Sequence, residues 1–562
     1  MKKIIIKLLV VILTFFLVFI SLIKIVKMLP GKERRLANDL YLNIISDLSH
    51  LSDRLFIKTY FYQNQIQSLP MYHLVIPENG LDNLNLDANK ALEMNFNSKT
   101  NLHQEKSKLI FNQQVFPATV NLHGTTKNNY KFYKKSFQIK LDNKQTINST
   151  DTINLINPLQ HNFLAPMLTN LVAQKLNLVF NQQYPVYLKI NDSNVGVYTY
   201  EEPLDNNLLT NHLIENAQII NLKDTWAENH YNNPIGLNAH HLSAFDFEIA
   251  NVESIKTDSQ TILYKLNSLY KSIKENDVTK IVEFFDLDYL ARYDAYREFF
   301  GVDHDSAGDN QKFFYSSKEQ KFYPIARGEG DINKLAIVSG TTLKSYNSYD
   351  SHITEQYAYP RLFLILNQSS EFRKLKYQYL QQLIEDYPEI KKEFKKIFDQ
   401  YADFYIYDNK DFLSVIAKRK LHRDLFDIVD FNQNLISQQL SFSSVFINII
   451  NHGSYTDIEI IPDSVAPIGF EKFELILNNL LTAKATINNQ PIILSDNVDI
   501  NQIINQEIIL SKLDDEYKLI PTTYLFSIKS STPFNINNIN IRAINRTTND
   551  LIKDIHIGIA TQ

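Results

Sequence analysis

A chain of 562 residues exceeds what one hydrophobic core usually organises, and 44% hydrophobic with 21% charged residues is the composition of a folding chain, so two or three domains are expected. A formal charge of -5, without a basic stripe interleaved with aromatics, argues against nucleic acid as a partner. Cysteine is absent, which excludes disulfides, thiolate zinc sites and cysteine nucleophiles.

The first element is apolar. Leu8 to Ile23 is interrupted only by Thr14 and Ser21, and Ile4 to Ile6 with Ile25 and Val26 lengthen it to about a bilayer span. No small-x-small cleavage site follows in Lys24 to Arg35, which favours a retained single-pass membrane anchor over residues 1–35 rather than a cleaved signal. Lys2, Lys3 and Lys7 compete with Lys24, Lys27, Lys32, Arg34 and Arg35, and by charge count alone the body leans to the cytoplasmic side. Residues 36–70 carry Leu36, Leu40, Leu48, Leu51 and Leu55 on one stripe, the pattern of a helical stalk.

From Met71 to Leu141 the pattern predicts a β-rich lobe, with strands at Tyr72 to Ile76, Val115 to Leu122 and Ser136 to Leu141. A helix is predicted from Phe163 to Leu176, then a hairpin, Val186 to Ile190 and Gly196 to Tyr200, around the polar turn Asn191 to Asn194. Helical periodicity covers Thr261 to Phe300 with an interruption near Asn276, and returns at Glu371 to Tyr387 and Lys391 to Tyr405 in a helical lobe ending near Leu440. Beyond Ser441 strands are expected at Val445 to Ile450, Ile458 to Ile461, Phe473 to Leu477, Glu507 to Leu510 and Ile539 to Ile544, which read as a β-sandwich over residues 441–562.

Four segments hold the side chains for chemistry. Gly301 to Asn310 follows a helix and precedes the strand Lys312 to Tyr315. Its Asp305 and Asn310 have the spacing by which a catalytic loop sets a base near an acceptor hydroxyl and an amide oxygen on a metal. In Ala326 to Asp331, Gly328 and Gly330 flank Glu329, so Glu329 and Asp331 can converge on one Mg²⁺. Solvated acidic turns are the bland reading of both. In Tyr133 to Leu141, strand alternation places Lys135 with Phe137 and Ile139 on an inner face, where an ammonium suits phosphate oxygens; a surface lysine pair is the commoner meaning. Glu202 ends a strand just before a helix, either to orient that lysine or as a helix-capping carboxylate.

Other clusters are weaker. His240, His241, Asp246, Glu248 and His304 lack a zinc-hydrolase spacing, Trp226 and the scattered tyrosines suit core packing better than sugar stacking, and Lys418, Arg419, Lys420, His422 and Arg423 read as a solvated helix face.

Taken in order, Lys134-Lys135-Ser136-Phe137, Pro185 to Asn191, Gly196-x-Tyr198-x-x-x-Glu202-x-Leu204-Asp205 and Asp305-x-x-x-x-Asn310-x-x-x-x-Tyr315 resemble the CotH family of atypical protein kinases. The likeness extends over residues 71–440 and includes Phe285 to Leu290. It implies an α+β, two-lobed kinase-like body, Mg²⁺ or Mn²⁺ with ATP as phosphate donor, and transfer to Ser or Thr of a protein substrate. By the same resemblance Lys135 holds the ATP phosphates, Glu202 positions Lys135, Asp305 is the catalytic aspartate, and Asn310 with Asp331 binds metal. One metal carboxylate is either replaced by Glu329 or displaced, because Ala326 to Asp331 stands where the family usually has Pro-Trp-Asp-x-Asp; His123 precedes Gly124 where an arginine is usual. Relatives are commonly exported, which puts the expected body outside the cytoplasm. The rival reading is an inactive membrane-anchored envelope protein that keeps the fold for binding.

Overall fold

The computed structural model describes residues 68–94, 102–124, 129–130, 134–159, 162–222, 247–249, 259–302, 312–327, 332–333, 335–338, 342–345, 362–363, 365–367, 369–408, 415–453, 455–464, 466–477, 482–487, 490–493, 512–513, 519–520, 523–529 and 536–561. The expected anchor, the stalk up to residue 67, the segment 507–510, Trp226, His240, His241, Asp246 and His304 lie outside these residues. Among the described residues no helix is long and apolar enough to cross a membrane.

Seven strands close into a barrel in the order β1-β2-β3-β4-β5-β7-β6. They are β1 (Met71–Val75), β2 (Glu105–Phe111), β3 (Gln114–Leu122), β4 (Phe137–Leu141), β5 (Thr152–Ile156), β6 (Gln183–Ile190) and β7 (Ser193–Glu201). Neighbours run antiparallel except at the seam, where β1 lies parallel to β6 with Met71 opposite Tyr187 and Leu74 opposite Ile190. Alternation sends Tyr72, Leu74, Val120, Ile139, Leu155, Val186 and Tyr198 into one buried core. The region expected to be strands alone also contains α1 (Glu78–Met94), whose Leu84, Ala88 and Ala91 join that core at helical spacing. Its apolar stripe is only half filled and lies among four strands, so it carries a weak helical signal. The hairpin between β6 and β7 turns at Asn191, φ 50°, whose amide bonds the backbone of Ile76 in both directions at 2.8 and 3.0 Å.

The rest of the 71–440 region is mostly helical. It comprises α2 (Ala165–Lys175), α3 (Asn206–Asn211), α4 (Ser259–Lys274), α5 (Val278–Glu283), α6 (Leu287–Phe300), α7 (Ser370–Glu385), α8 (Tyr387–Ile406) and α9 (Val415–Ser441). The expected interruption near Asn276 is there: Asn276 has φ 55° and Asp277 caps α5, its carboxylate accepting from the Lys280 N–H. A second break comes at Asp286, which caps α6 in the same way. A four-stranded sheet, with β8 (Ala217–Leu222), β9 (Phe247–Ile249), β10 (Lys312–Ser316) and β11 (Lys321–Pro324) in the order β11-β10-β8-β9, packs on these helices; β8 and β9 were not foreseen. A small hairpin, β12 (Leu335–Val338) with β13 (Thr342–Ser345), follows.

The tail is all β among the described residues. One six-stranded sheet includes β14 (Ser443–Asn451) and β15 (Tyr455–Ser464), and a separate two-stranded sheet pairs Ile468–Leu477 with Ile536–Asn545. Val445, Ile447, Ile458 and Ile460 of the first share a core with Ile468, Phe470, Phe473 and Ala543 of the second.

Candidate functional site

The connection from β3 to β4 delivers the two adjacent lysines. It leaves β3 through Gly124, at φ 88°, where a Cβ would come within 2.4 Å of Asn129 and only glycine fits. Ser136 fastens the return: its N–H donates to the Asn129 carbonyl (2.8 Å), its hydroxyl donates to Asn129 Oδ1 (2.7 Å) and accepts from the Asn157 N–H (2.9 Å). The strand begins at Phe137, so Lys135 precedes β4 rather than sitting on an inner strand face.

The two lysines have different surroundings. Lys134, expected in a surface pair, is buried; its Nζ donates to the Val197 carbonyl at 2.7 Å and forms an ion pair with Asp408, just past the end of α8. Asp408 Oδ2 also accepts from the Val197 N–H (2.7 Å), and its carbonyl accepts from Lys418 Nζ (2.6 Å). Burial works against the Asp408 carboxylate, but the Lys134 and Lys418 charges outweigh it and hold the group below the ordinary carboxylate range. Gly196 is required there, since a Cβ would stand 2.6 Å from Asp408 Oδ2. Lys135 is half-buried, and desolvation lowers its pKa. Among the described residues no ion pair or hydrogen bond engages it.

Glu202 is buried at the end of β7. One carboxylate oxygen accepts from the Gln182 N–H (3.0 Å) and the other from Asn211 Nδ2 (2.6 Å). Asp205, not Glu202, caps α3. No hydrogen bond or ion pair joins Glu202 to Lys135 among the described residues.

Asp305, Asn310, Glu329 and Asp331 lie outside the described residues, but the backbone that bounds their segments is described. Helix α6 stops at Gly301, left-handed at φ 63° and too close to the Asn333 carbonyl for a Cβ, which would stand 2.4 Å away. The Asn333 N–H donates to the Phe300 carbonyl (2.9 Å) and its Nδ2 to the Gly301 carbonyl (3.2 Å). At the other end, the Ile325 N–H donates to the Lys312 carbonyl (3.0 Å) and the Ala326 N–H to the Val179 carbonyl (2.8 Å). The segments 303–311 and 328–331 therefore leave from, and return to, adjacent backbone.

Asn432 of α9 closes this junction from below. Its Nδ2 donates to the carbonyls of Asn333 (2.8 Å) and Phe299 (3.3 Å), and its Oδ1 accepts from the Leu335 N–H (2.9 Å). Neither Asn432 nor Asp408 was singled out from the sequence. For Asn432 a signal existed: Lys418, His422, Leu425, Val429, Asn432, Ile436 and Leu440 recur at helical spacing and are all buried, so polar residues sit inside an apolar stripe. The expectation of a solvated face at 418–423 is thus corrected for Lys418 and His422. Among the described residues no three acidic or histidine side chains are grouped to hold a metal ion.

A protein-family model described as CotH kinase protein matches residues 120–414, more than half of the chain. The chain belongs to the CotH family. The CotH match begins within β3, stops just before α9 and includes Lys135, Glu202, Asp305, Asn310, Glu329, Asp331 and Asp408, while Asn432 and the β tail fall beyond it. No curated protein matches the chain.

Proposed function

We propose that this CotH-family protein is a membrane-tethered atypical protein kinase that transfers the γ-phosphate of ATP, with Mg²⁺ or Mn²⁺, to Ser or Thr hydroxyls of another protein outside the cytoplasm. The observation that carries this reading is the shared junction of the two acid-bearing segments at Gly301, Asn333 and Asn432. At about 3.6 Å per residue, Asp305 stays within about 14 Å of Gly301, while Glu329 stays within about 7 Å of Arg327 and Asp331 within about 7 Å of Asn333. These reaches bound how far each carboxylate can lie from the described backbone at the ends of its segment.

The residues present suit a nucleotide: Lys135 is a half-buried cation with no ionic partner among the described residues, which suits an anionic ligand. Bound ATP supplies the phosphoryl group, and the metal neutralises its developing charge. Lys135 would hold phosphate oxygens, and Asn310, Glu329 and Asp331 would offer oxygen ligands to the metal. Asp305 would take the proton of the acceptor hydroxyl as that oxygen bonds to the γ-phosphorus and the bond to the β–γ bridging oxygen breaks, releasing ADP.

The test is transfer of labelled γ-phosphate by the full-length protein in detergent, beside Asp305→Ala of unchanged circular dichroism. Labelling that vanishes in Asp305→Ala supports the kinase. If neither labelling nor metal-dependent ATP binding is found, the departure at Ala326 to Asp331 marks a binding protein that kept the fold.

A further inference from the structure

We propose that Asp408, acting through Lys134, is the carboxylate that fixes the position of Lys135. The proposal rests on the reading that Lys135 contacts nucleotide phosphate. In that reading a carboxylate has to hold the lysine-bearing segment in place, and Glu202 is turned to Gln182 and Asn211, with no hydrogen bond or ion pair to Lys135 among the described residues. Asp408 meets the requirement one residue away. Its carboxylate is paired with Lys134, bonded to the Val197 N–H and seated against Gly196, while its own carbonyl is bonded to Lys418 of α9. One residue thereby joins the segment before β4, the strand β7 and the helix α9.

Lys135 is flanked by tethered neighbours. Lys134 is held by Asp408 and by the Val197 carbonyl, and Ser136 by Asn129 and Asn157, so the backbone that projects Lys135 is fixed on both sides. A buried ion pair gives up much of its Coulombic gain to desolvation, and an apolar pair of similar volume would serve packing as well. What the charged pair adds is direction: the ammonium must reach both the carboxylate and the Val197 carbonyl, and few Lys134 rotamers do so. Asp408 is therefore a positioning residue, without contact to the substrate.

The experiment measures Mg²⁺-dependent binding of a non-hydrolysable ATP analogue, the KM for ATP, kcat and melting temperature on the full-length protein. The variants are Lys135→Met, Asp408→Asn and the apolar pair Lys134→Met/Asp408→Leu. Asp408→Asn and the apolar pair are expected to weaken nucleotide binding and raise the KM for ATP by on the order of tenfold, with kcat at saturating ATP changed much less. The apolar pair also leaves the Val197 N–H and carbonyl without these partners and should melt below wild type, so binding is measured at a temperature where every variant is folded, which separates position from stability. A folded apolar pair that binds nucleotide as wild type does would overturn the proposal. Should Lys135→Met itself leave nucleotide affinity unchanged, the assignment of Lys135 fails and this one with it. Loss in Lys135→Met alone defeats only the role of Asp408.

Discussion

His422 lies in the buried stripe of α9, its ring 5.5 Å from that of Phe163 and 5.8 Å from that of Phe398, with neither ring nitrogen hydrogen-bonded among the described residues. Desolvation, with help from the Lys418 charge, lowers its pKa to about 4. The imidazole is thus neutral in the fold while the unfolded chain takes up a proton near pH 6.5. Stability is fully present above that pH and is lost as the pH falls towards 4, by up to about 3 kcal/mol. The expected result is that His422→Leu flattens this slope, read as urea midpoints at pH 7 and pH 5. Asp408 adds a loss in the same direction lower down, because its depressed pKa makes its contribution present above the ordinary carboxylate range and lost as pH falls through the folded value. Gly196 sits against that carboxylate at φ 114°, so Gly196→Ala should destabilise by about 2 kcal/mol or more, visible as a lower denaturation midpoint. At this scale the sequence was partly legible. Lysine before a serine and an aromatic drew attention to the right segment, but only tertiary contacts separate a buried Lys134 from a half-exposed Lys135.

Among the elements, α9 ties the end of α6 to the segment before β12 through Asn432. Asn432→Leu would leave the Phe299 and Asn333 carbonyls and the Leu335 N–H without this partner, at a cost of about 2–4 kcal/mol. We expect a lowered melting temperature and, on the proposed kinase reading, phosphoryl transfer reduced together with affinity for Mg²⁺ where the protein remains folded. Phosphate transfer measured across a Mg²⁺ titration checks it: unchanged metal dependence in a folded variant would mean that Asn432 supports stability alone. Local patterns announced most elements, because caps and periods are local. The break at Asn276, the helix α2 and the hairpin of β6 with β7 were each readable from a few neighbouring residues. Not readable were α1, whose stripe is short, and β8, which becomes a strand by pairing with β10 about a hundred residues later.

For the whole molecule, the expected boundary at residue 441 has no linker. Helix α9 ends at Ser441 and β14 begins at Ser443, and Asn545 Nδ2 reaches back to the Leu440 carbonyl (2.7 Å) and Ser443 Oγ (2.8 Å). Ala466 of the tail is part of the core of the helical region. A chain ending at residue 441 should therefore melt at a lower temperature than the full protein and expose apolar surface, which dye binding would detect. Barrel closure was also hidden from the sequence, since alternation gives a strand its face but not its distant partner. That seam bears on how the protein is made. Strand β1 is synthesised more than a hundred residues before β6, the strand it pairs with in parallel. At about 5–20 residues per second, β1 waits on the order of ten seconds with its edge uncovered. Until the seam closes, that edge is open to pairing with another chain.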